Sequence, residues 1–328
     1  MLVLTAADVQ ELVPMRTAID LMKQVFAELS AGRTESPLRI PLEVSEHEGV
    51  TLFMPAQVPS AEGLGVKIVS VFPRNPQQGK PTIHAVVLLT STETGEPLAL
   101  LDGTFITALR TGAVSGAATD LLARPDSHVL TVIGAGVQGL TQAWAVATVR
   151  PIERVNVFDV NADAAASFAD RLRAYDPALA DKVVPVDDVH RAVAESDVIC
   201  TATTARQPVF ADADVRLGTH INAIGAFTPE MQEIPPETVA RSYLVVDAVD
   251  AAMAEAGDLL KAIDAGLISR DAVRVELGHV VDGSAERRTS PEQVTFFKSV
   301  GNAVQDVIVA RYAVTAAERS GRGQTITL

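Results

Sequence analysis

Cysteine is almost absent from this 328-residue chain, in which Cys200 is the only one. A single cysteine can neither form a disulfide within the chain nor build a cysteine-rich zinc site. Cys200 lies in an apolar run, which favours a buried core thiol over a nucleophile. No histidine pair has the spacing of metal ligands, so we expect no metal site.

Basic residues are also scarce, with 27 Lys and Arg against 41 Asp and Glu and a formal net charge of −14. A nucleic-acid partner needs a basic face, so this composition argues against one. No apolar run approaches the roughly 18 residues of a membrane span, and the N-terminus lacks the basic start of a signal peptide. We therefore expect a cytoplasmic protein with no membrane or nucleic-acid partner. Its length suits two domains or one large one.

A glycine-rich turn between a strand and a helix is the strongest signal present. The motif Gly134–Gly139 follows the apolar run from His128 and precedes the helical pattern from Leu140. In G-x-G-x-x-G turns the glycines permit a tight turn, admit a pyrophosphate and let the helix pack closely. The helix N-terminus then offers unpaired N–H groups to the phosphates. The pattern predicts a dinucleotide site that includes Gly134, Gly136, Val137, Gln138 and Gly139.

An acidic residue follows the motif at the spacing that dinucleotide sites require. A second strand-like run, Val155–Phe158, ends at Asp159, about 20 residues after Gly139. At that place a carboxylate accepts hydrogen bonds from the ribose hydroxyls and repels a 2′-phosphate. No basic residue follows in Val160 or Asn161. The sequence therefore favours NAD(H), with NADP(H) kept as the alternative.

The order of elements predicts two domains. Residues 1–120 read as a helix pair, a mostly antiparallel sheet and a small-residue helix, and so predict an α+β substrate-binding and dimerisation domain. Residues 121–299 alternate strands and helices, which predicts a doubly wound parallel sheet of the Rossmann type, an α/β fold. A helix from about 293 to 317 is expected to return to the first domain, with about 300–328 belonging to it. The tail from Ser320 is expected to be loosely held.

Three cations fall on or beside apolar elements: Arg39, Lys67 and Arg110. Together they suit a carboxylate substrate, because arginine offers a planar fork and lysine a compact donor that can also transfer a proton. Taken singly, each is more often a strand cation facing solvent or a partner of one of the many acids. We interpret His84 and His220, on or before strands, as structural.

Nine stretches of the chain resemble the ornithine cyclodeaminase and mu-crystallin family over nearly its whole length. They are Phe53–Ala56, Val66–Val69, Glu93–Pro97, Leu101–Gly103, Leu109–Ala113, Gly134–Gly139, Gly225–Pro229, Glu255–Asp258 and Phe297–Gly301. The combination of Thr-Ala-Leu-Arg-Thr with a later Phe-Lys-Ser is specific. The resemblance implies a homodimer whose N-terminal sheets join, and a substrate carboxylate held at Arg39, Lys67 and Arg110.

The resemblance also implies which residues lie along the cofactor besides the glycine turn. These are Thr111, Thr201, Ala202, Thr203, Gly225, Phe227, Lys298 and Ser299.

Two positions depart from the cyclodeaminase pattern. Phe227 stands where those enzymes carry an aspartate after the glycine pair, and Leu52 stands where they carry a glutamate. Deamination with ring closure needs a carboxylate to shuttle protons, and neither side chain can supply one. The segment Gly225–Glu233 instead resembles the branch that reduces cyclic ketimines such as Δ1-pyrroline-2-carboxylate to cyclic amino acids.

We therefore expect an NAD(P)H-dependent ketimine reductase acting on a small imino acid with a five- or six-membered ring. The carboxylate would bind to Arg39 and Arg110, the proton would come from Lys67 or water, and Phe227 would form an apolar wall for the ring. One alternative is an alanine or opine-type dehydrogenase of the same family. A mu-crystallin-like binding protein is a second, and an ornithine cyclodeaminase is the least favoured.

Overall fold

A computed structural model describes residues 1–327. The strands are β1 (Leu2–Leu4), β2 (Ile40–Val44), β3 (Gly49–Val58), β4 (Gly63–Val71), β5 (Ile83–Thr90), β6 (Pro97–Asp102), β7 (Val129–Ile133), β8 (Arg154–Phe158), β9 (Val183–Pro185), β10 (Val198–Thr201), β11 (His220–Ala223), β12 (Tyr243–Val246), β13 (Thr295–Lys298) and β14 (Gln324–Thr325). The helices are α1 (Ala6–Leu12), α2 (Met15–Ser30), α3 (Gly103–Leu122), α4 (Val137–Val149), α5 (Ala162–Ala166), α6 (Phe168–Leu172), α7 (Pro177–Ala180), α8 (Val189–Ala194), α9 (Pro236–Arg241), α10 (Val249–Glu255), α11 (Gly257–Asp264), α12 (Leu277–Asp282) and α13 (Ala303–Ser320). Short 3-10 turns lie at Ser45–His47, Pro59–Ala61, Asn75–Gln78, Asp212–Asp214 and Arg270–Ala272.

The chain divides into two units. Unit 1 comprises Met1–Arg110 and the segment from Asn302 onward, and unit 2 comprises Thr111–Gly301. Helix α3 runs from one unit into the other.

The sheet of unit 1 has the strand order β14-β1-β6-β5-β4-β3-β2 and is antiparallel except between β1 and β6. Its strands alternate buried and partly exposed residues, as expected where one face is covered. Helix α13 packs against β3, β4 and β5, and against α2. The covered face therefore looks toward α13, and the other face carries much of the exposed apolar surface of this unit.

The sheet of unit 2 is entirely parallel, in the order β12-β13-β11-β10-β7-β8-β9. From β7 the chain first adds β8 and β9 on one side and then crosses to β10 on the other. This reversal is the switch point at which doubly wound sheets bind ligands, beyond the carboxyl ends of the strands. The predicted Rossmann-type α/β fold is confirmed.

The predicted boundary follows residue 120, whereas the two units divide at Thr111, within α3. The rest of α3 packs within unit 2. A Cβ on Gly112 would lie 2.4 Å from the carbonyl oxygen of Thr141, so α3 and α4 meet backbone to backbone. Asn222 Nδ2 also donates to Thr119 Oγ1 at 2.9 Å, which ties the helix to β11.

The predicted helix from about 293 was wrong in its first part. Residues 295–298 form β13 between β11 and β12, and α13 starts only at Ala303. A short apolar run buried on all sides does not reveal its type by periodicity. The expected loose tail was also wrong, since Gln324–Thr325 pair with β1 and the Met1 ammonium donates to Ile326 O at 3.1 Å.

Two polar residues of the sheet of unit 2 are structural, as expected. Burial raises the pKa of the Cys200 thiol to about 12, so it is not a nucleophile at neutral pH. Burial lowers the pKa of His220 to about 3, and its ring bonds to Thr295 and Asn222. His84, in unit 1, is exposed on β5.

Candidate active site

A buried cluster of two cations and one acid lies on the covered face of unit 1. Lys67 projects from β4 and is 1% exposed, and its Nζ donates to Asp306 Oδ2 at 2.7 Å. Arg110, near the middle of α3, places its Nε 3.3 Å from Asp306 Oδ1. Asp306 is fully buried in the first turn of α13. The Asp306 carboxylate therefore lies between the two cations. Without it, these buried positive charges would repel each other strongly.

The ammonium of Lys67 is far easier to deprotonate than that of an ordinary lysine. Its pKa falls to about 7, chiefly because burial disfavours the charged form. Asp306 opposes that shift, whereas Arg110 and Arg39 add to it. A donor with a pKa near the working pH is well suited to exchange a proton with a bound ligand.

Arg110 retains hydrogen-bonding capacity after its contacts within the protein. Its Nη1 donates to Gln305 Oε1 at 2.8 Å, and that oxygen also accepts from the Asn302 N–H at 2.9 Å. Arg110 Nε and Asp306 Oδ1 are buried, and neither has a well-directed hydrogen bond to any of the described residues. A guanidinium carries five N–H donors in a plane, so this one can still bind a carboxylate with two parallel bonds.

Arg39 is part of the same electrostatic environment. It immediately precedes β2 and is half-buried, and its charge lowers the pKa of Lys67. The three cations predicted from the sequence therefore belong to one region of unit 1, with Lys67 and Arg110 joined through Asp306.

The two positions at which cyclodeaminases carry acids hold apolar side chains. Leu52 lies on β3 two residues before Met54, the register partner of Lys67, and so shares a sheet face with that lysine. Phe227 lies in unit 2 on the loop after β11 and is 38% exposed.

The glycine turn of unit 2 has the geometry of a dinucleotide site. Gly134 has φ +104°, which favours glycine. A Cβ on Gly139 would lie 2.2 Å from Gly134 O, so α4 packs directly on the turn. Gly136 has open space where a Cβ would be. Helix α4 begins at Val137 and Gln138 follows, and no side chain among residues 1–327 caps its N-terminus. The uncapped N–H groups and the clear approach fit a pyrophosphate.

Asp159 lies at the mouth of this turn. Its Oδ2 accepts from the Ala135 N–H at 2.7 Å and its Oδ1 from the Asn161 N–H at 2.8 Å. The carboxylate is therefore held beside the glycine turn, at the place where a dinucleotide presents its adenosine ribose. These residues fit the cofactor that the motif predicts.

The remaining predicted cofactor residues fall into three groups in unit 2. Thr201, Thr203 and Gly225 all donate to the carboxylate of Glu233, and Ala202 O lies 2.5 Å from where a Cβ on Gly134 would be. The hydroxyl of Thr111 is buried with no partner among the described residues.

The third group consists of two residues whose polar groups are already engaged. Lys298 Nζ donates to Asp258 Oδ2 at 2.9 Å, and both side chains are fully buried. Ser299 Oγ donates to Asp247 Oδ2 at 2.8 Å. The ammonium of Lys298, the last residue of β13, is thus already paired with a carboxylate of the protein.

Sequence reasoning missed the buried acids Asp306, Glu233 and Asp258. A signal was present for Asp306, because it interrupts a helix whose neighbouring residues are nearly all apolar and buried. Asp258 lies within a stretch that resembles the family, but the sequence alone indicates no role for it. A buried acid needs a partner, and a single sequence does not show which distant residue provides one.

Comparison with known proteins shows the family of this chain. The family model of the ornithine cyclodeaminase/mu-crystallin family matches residues 1–321. The chain belongs to that family. It is 40% identical to a Δ1-pyrroline-2-carboxylate reductase of Bacillus cereus over 329 residues, which cover 99% of each protein.

Two solved structures extend the similarity to the whole fold. One is the Δ1-pyrroline-2-carboxylate reductase of Thermococcus litoralis in complex with NADH and L-proline, with a TM-score of 0.95, 40% identity and coverage of 99% of this chain and 100% of that one. The other is an archaeal alanine dehydrogenase dimer with bound NAD, with a TM-score of 0.90, 34% identity and coverage of 100% and 99%. Among residues 1–327, no helix is both long and apolar enough to span a membrane.

Proposed function

We propose that this protein is an NAD(H)-dependent reductase of a cyclic ketimine carboxylate, Δ1-pyrroline-2-carboxylate or its six-membered homologue Δ1-piperideine-2-carboxylate, which it converts to the cyclic L-amino acid. The observation that carries the proposal is the buried Lys67–Asp306–Arg110 cluster, which pairs a carboxylate-binding fork with a proton donor. The full-length similarity to two Δ1-pyrroline-2-carboxylate reductases supports it.

Reduction of a ketimine adds a hydride to the C=N carbon and a proton to the nitrogen. Bound NADH would supply the hydride. Arg110 and Arg39 would bind the substrate carboxylate, and so fix the position of the carbon next to it. The bound carboxylate would also raise the pKa of the nearby Lys67, keeping it protonated until it donates to the imine nitrogen.

Proton-shuttling lyase chemistry fits this chain poorly. Neither Phe227 nor Leu52 can accept a proton from an amine, whereas apolar side chains suit the ring methylenes of a ketimine. Alanine dehydrogenation is the second candidate, because an imine formed from pyruvate and ammonia presents the same carboxylate and C=N group. The similarity to the archaeal alanine dehydrogenase supports this second candidate.

We also propose that the protein is a homodimer joined through the sheet of unit 1. Ile40 and Val86 lie on one register row with Phe53 and Ile68, on the face opposite Lys67. Ile40 is 56% exposed and Val86 39%. A contiguous exposed apolar face of this kind is typical of a protein interface.

The substrate assignment is tested by supplying NADH with Δ1-pyrroline-2-carboxylate, with pyruvate and ammonia, or with no second substrate, and by supplying NAD⁺ with ornithine. We expect rapid NADH oxidation with the ring imine, much slower oxidation with pyruvate and ammonia, and no ammonia release from ornithine. Robust ornithine deamination by the wild type would overturn the assignment.

Arg110→Ala should lose the activity but still bind NADH, because it removes a carboxylate contact of about 1.5–3 kcal/mol or more.

The pH dependence should report Lys67. Imine reduction needs the protonated ammonium, so kcat/KM should fall as pH rises through about 7, and oxidation of the cyclic amino acid should rise through the same range. Asp306→Asn removes the interaction that raises the Lys67 pKa, so both midpoints should move to lower pH. Glu318→Gln, on the exposed part of α13, is the matched control and should move neither. Unchanged midpoints in Asp306→Asn would mean that another group sets the profile.

Cofactor choice should depend on Asp159. We expect kcat/KM with NADH to exceed that with NADPH by about tenfold or more, because the carboxylate repels a 2′-phosphate. Asp159→Ser should reduce that preference, whereas Asp163→Ser, an exposed acid in the next helix, should leave it unchanged. A wild-type preference for NADPH would contradict this role of Asp159.

The dimer should be visible in light scattering coupled to size exclusion. Wild type should elute with the mass of two chains, and Val86→Arg should shift it toward one chain by placing a charge in the apolar face. Leu267→Arg, a 44% exposed apolar residue of unit 2, serves as the control and should remain dimeric. A monomeric wild type would contradict the proposed interface.

A further inference from the structure

Glu233 is a fully buried acid that the dinucleotide motif does not explain. Its carboxylate accepts hydrogen bonds from five donors. Oε1 accepts from the Thr203 N–H at 2.6 Å and Thr203 Oγ1 at 2.8 Å, and Oε2 accepts from Thr201 Oγ1 at 2.9 Å, the Gly225 N–H at 2.7 Å and the Ala226 N–H at 3.2 Å. Such a set suits an ionised carboxylate, which accepts hydrogen bonds and donates none.

These donors come from the carboxyl ends of two adjacent strands. Thr201 ends β10 and Thr203 follows it, while Gly225 and Ala226 follow β11. β10 borders the switch point of the sheet, so the loops after these strands form one wall of the ligand crevice. The single side chain of Glu233 therefore sets the spacing of two loops in that wall.

The backbone around Glu233 is packed without spare room. A Cβ on Gly225 would lie 2.2 Å from Thr203 O and 2.4 Å from Glu233 Oε1, and one on Gly134 would lie 2.5 Å from Ala202 O. Such short separations leave no space for a larger residue or a displaced chain. A shift of the carboxylate would therefore be passed to both loops.

A second buried acid holds Glu233 itself. Asp258 Oδ1 accepts from the Glu233 N–H at 2.7 Å and the Ile234 N–H at 3.0 Å, and its Oδ2 accepts from Lys298 Nζ at 2.9 Å. Lys298 is the last residue of β13, so a third strand end joins the network. Burial, with Asp258 nearby, raises the pKa of Glu233, because holding a negative charge away from water and near a second one costs free energy.

We propose that Glu233 is a positioning residue for the nicotinamide end of the cofactor, acting through the Thr201–Thr203 and Gly225–Phe227 loops and supported by Asp258 and Lys298. The inference rests on the proposed function only for the identity of the substrate, since cofactor binding can be measured alone. We expect the adenosine half to depend mainly on Asp159, which follows β8 on the other side of the switch point, and on the N-terminus of α4. Loss of Glu233 should therefore affect the two halves of the cofactor unequally.

Glu233→Gln is the direct test, because a glutamine has the same size but turns an NH₂ group toward N–H and O–H donors. Asp197→Asn is the matched control. Asp197 is also buried and lies just before the same strand, β10, where it accepts from the His128 and Val129 N–H groups at the amino end of β7. Both substitutions should lower the melting temperature, but only the first lies beside the ligand crevice.

Three quantities are measured for each variant: affinity for NADH, affinity for ADP-ribose, which lacks the nicotinamide, and kcat for ketimine reduction. For Glu233→Gln we expect about tenfold weaker NADH binding, corresponding to about 1.4 kcal/mol, a comparable loss of kcat, and ADP-ribose affinity unchanged within about twofold. Asp197→Asn should leave both affinities near wild type.

Asp258→Asn provides a second variant if Glu233→Gln does not fold. It should weaken NADH binding in the same selective way, about threefold, because the support of Glu233 is reduced but its carboxylate remains. Equal weakening of NADH and ADP-ribose, or unchanged NADH binding in both variants, would overturn the proposal. A wild-type protein that binds NADH but reduces no ketimine would instead contradict the proposed function and leave this comparison intact.

Discussion

The chemistry proposed for unit 1 depends on the pairing of the Asp306 carboxylate with two buried cations. Two buried cations, Lys67 and Arg110, would be costly to hold away from water without a compensating charge. Asp306 provides that charge from a helix that packs across β3, β4 and β5. Burial lowers the pKa of Lys67 to about 7, and Asp306 offsets only part of that shift while it holds the ammonium in place. The same buried environment therefore holds the Lys67 side chain in place and makes its ammonium easier to deprotonate.

Unit 2 also has buried carboxylates, and these accept hydrogen bonds from backbone N–H groups. Glu233 gathers the loops after β10 and β11, and Asp247 accepts from the N–H groups of Val300 and Gly301 just after β13. Parallel strands end at a common edge, where backbone N–H groups need partners. A buried carboxylate can serve several of them at once, which makes the edge rigid without filling the space that a ligand needs.

Within the family, a shared fold carries more than one reaction, so the activity must be argued from individual side chains. Phe227 and Leu52 remove the acids on which lyase chemistry relies, and the three cations of unit 1 remain. That combination supports the proposed carboxylate binding and proton donation but provides no second proton shuttle. It fits a reaction in which one hydride and one proton are added.

Local patterns in the sequence were enough to predict much of this protein. The spacing from Gly134 to Asp159 predicted a dinucleotide turn because the constraints act within one βαβ unit. Alternation of strands and helices predicted the parallel sheet for a similar reason. Resemblance to the family indicated the three cations and the missing acids.

Tertiary structure decided the rest. Thr295–Lys298 became a strand because β11 and β12 offered it partners, and α3 divided between the units because Gly112 packs on α4. The acids that tune or position the site lie far along the chain from the groups they hold, as Asp306 does from Lys67. Their partners are set by three-dimensional packing, and the free energy of burying a charge depends on those partners.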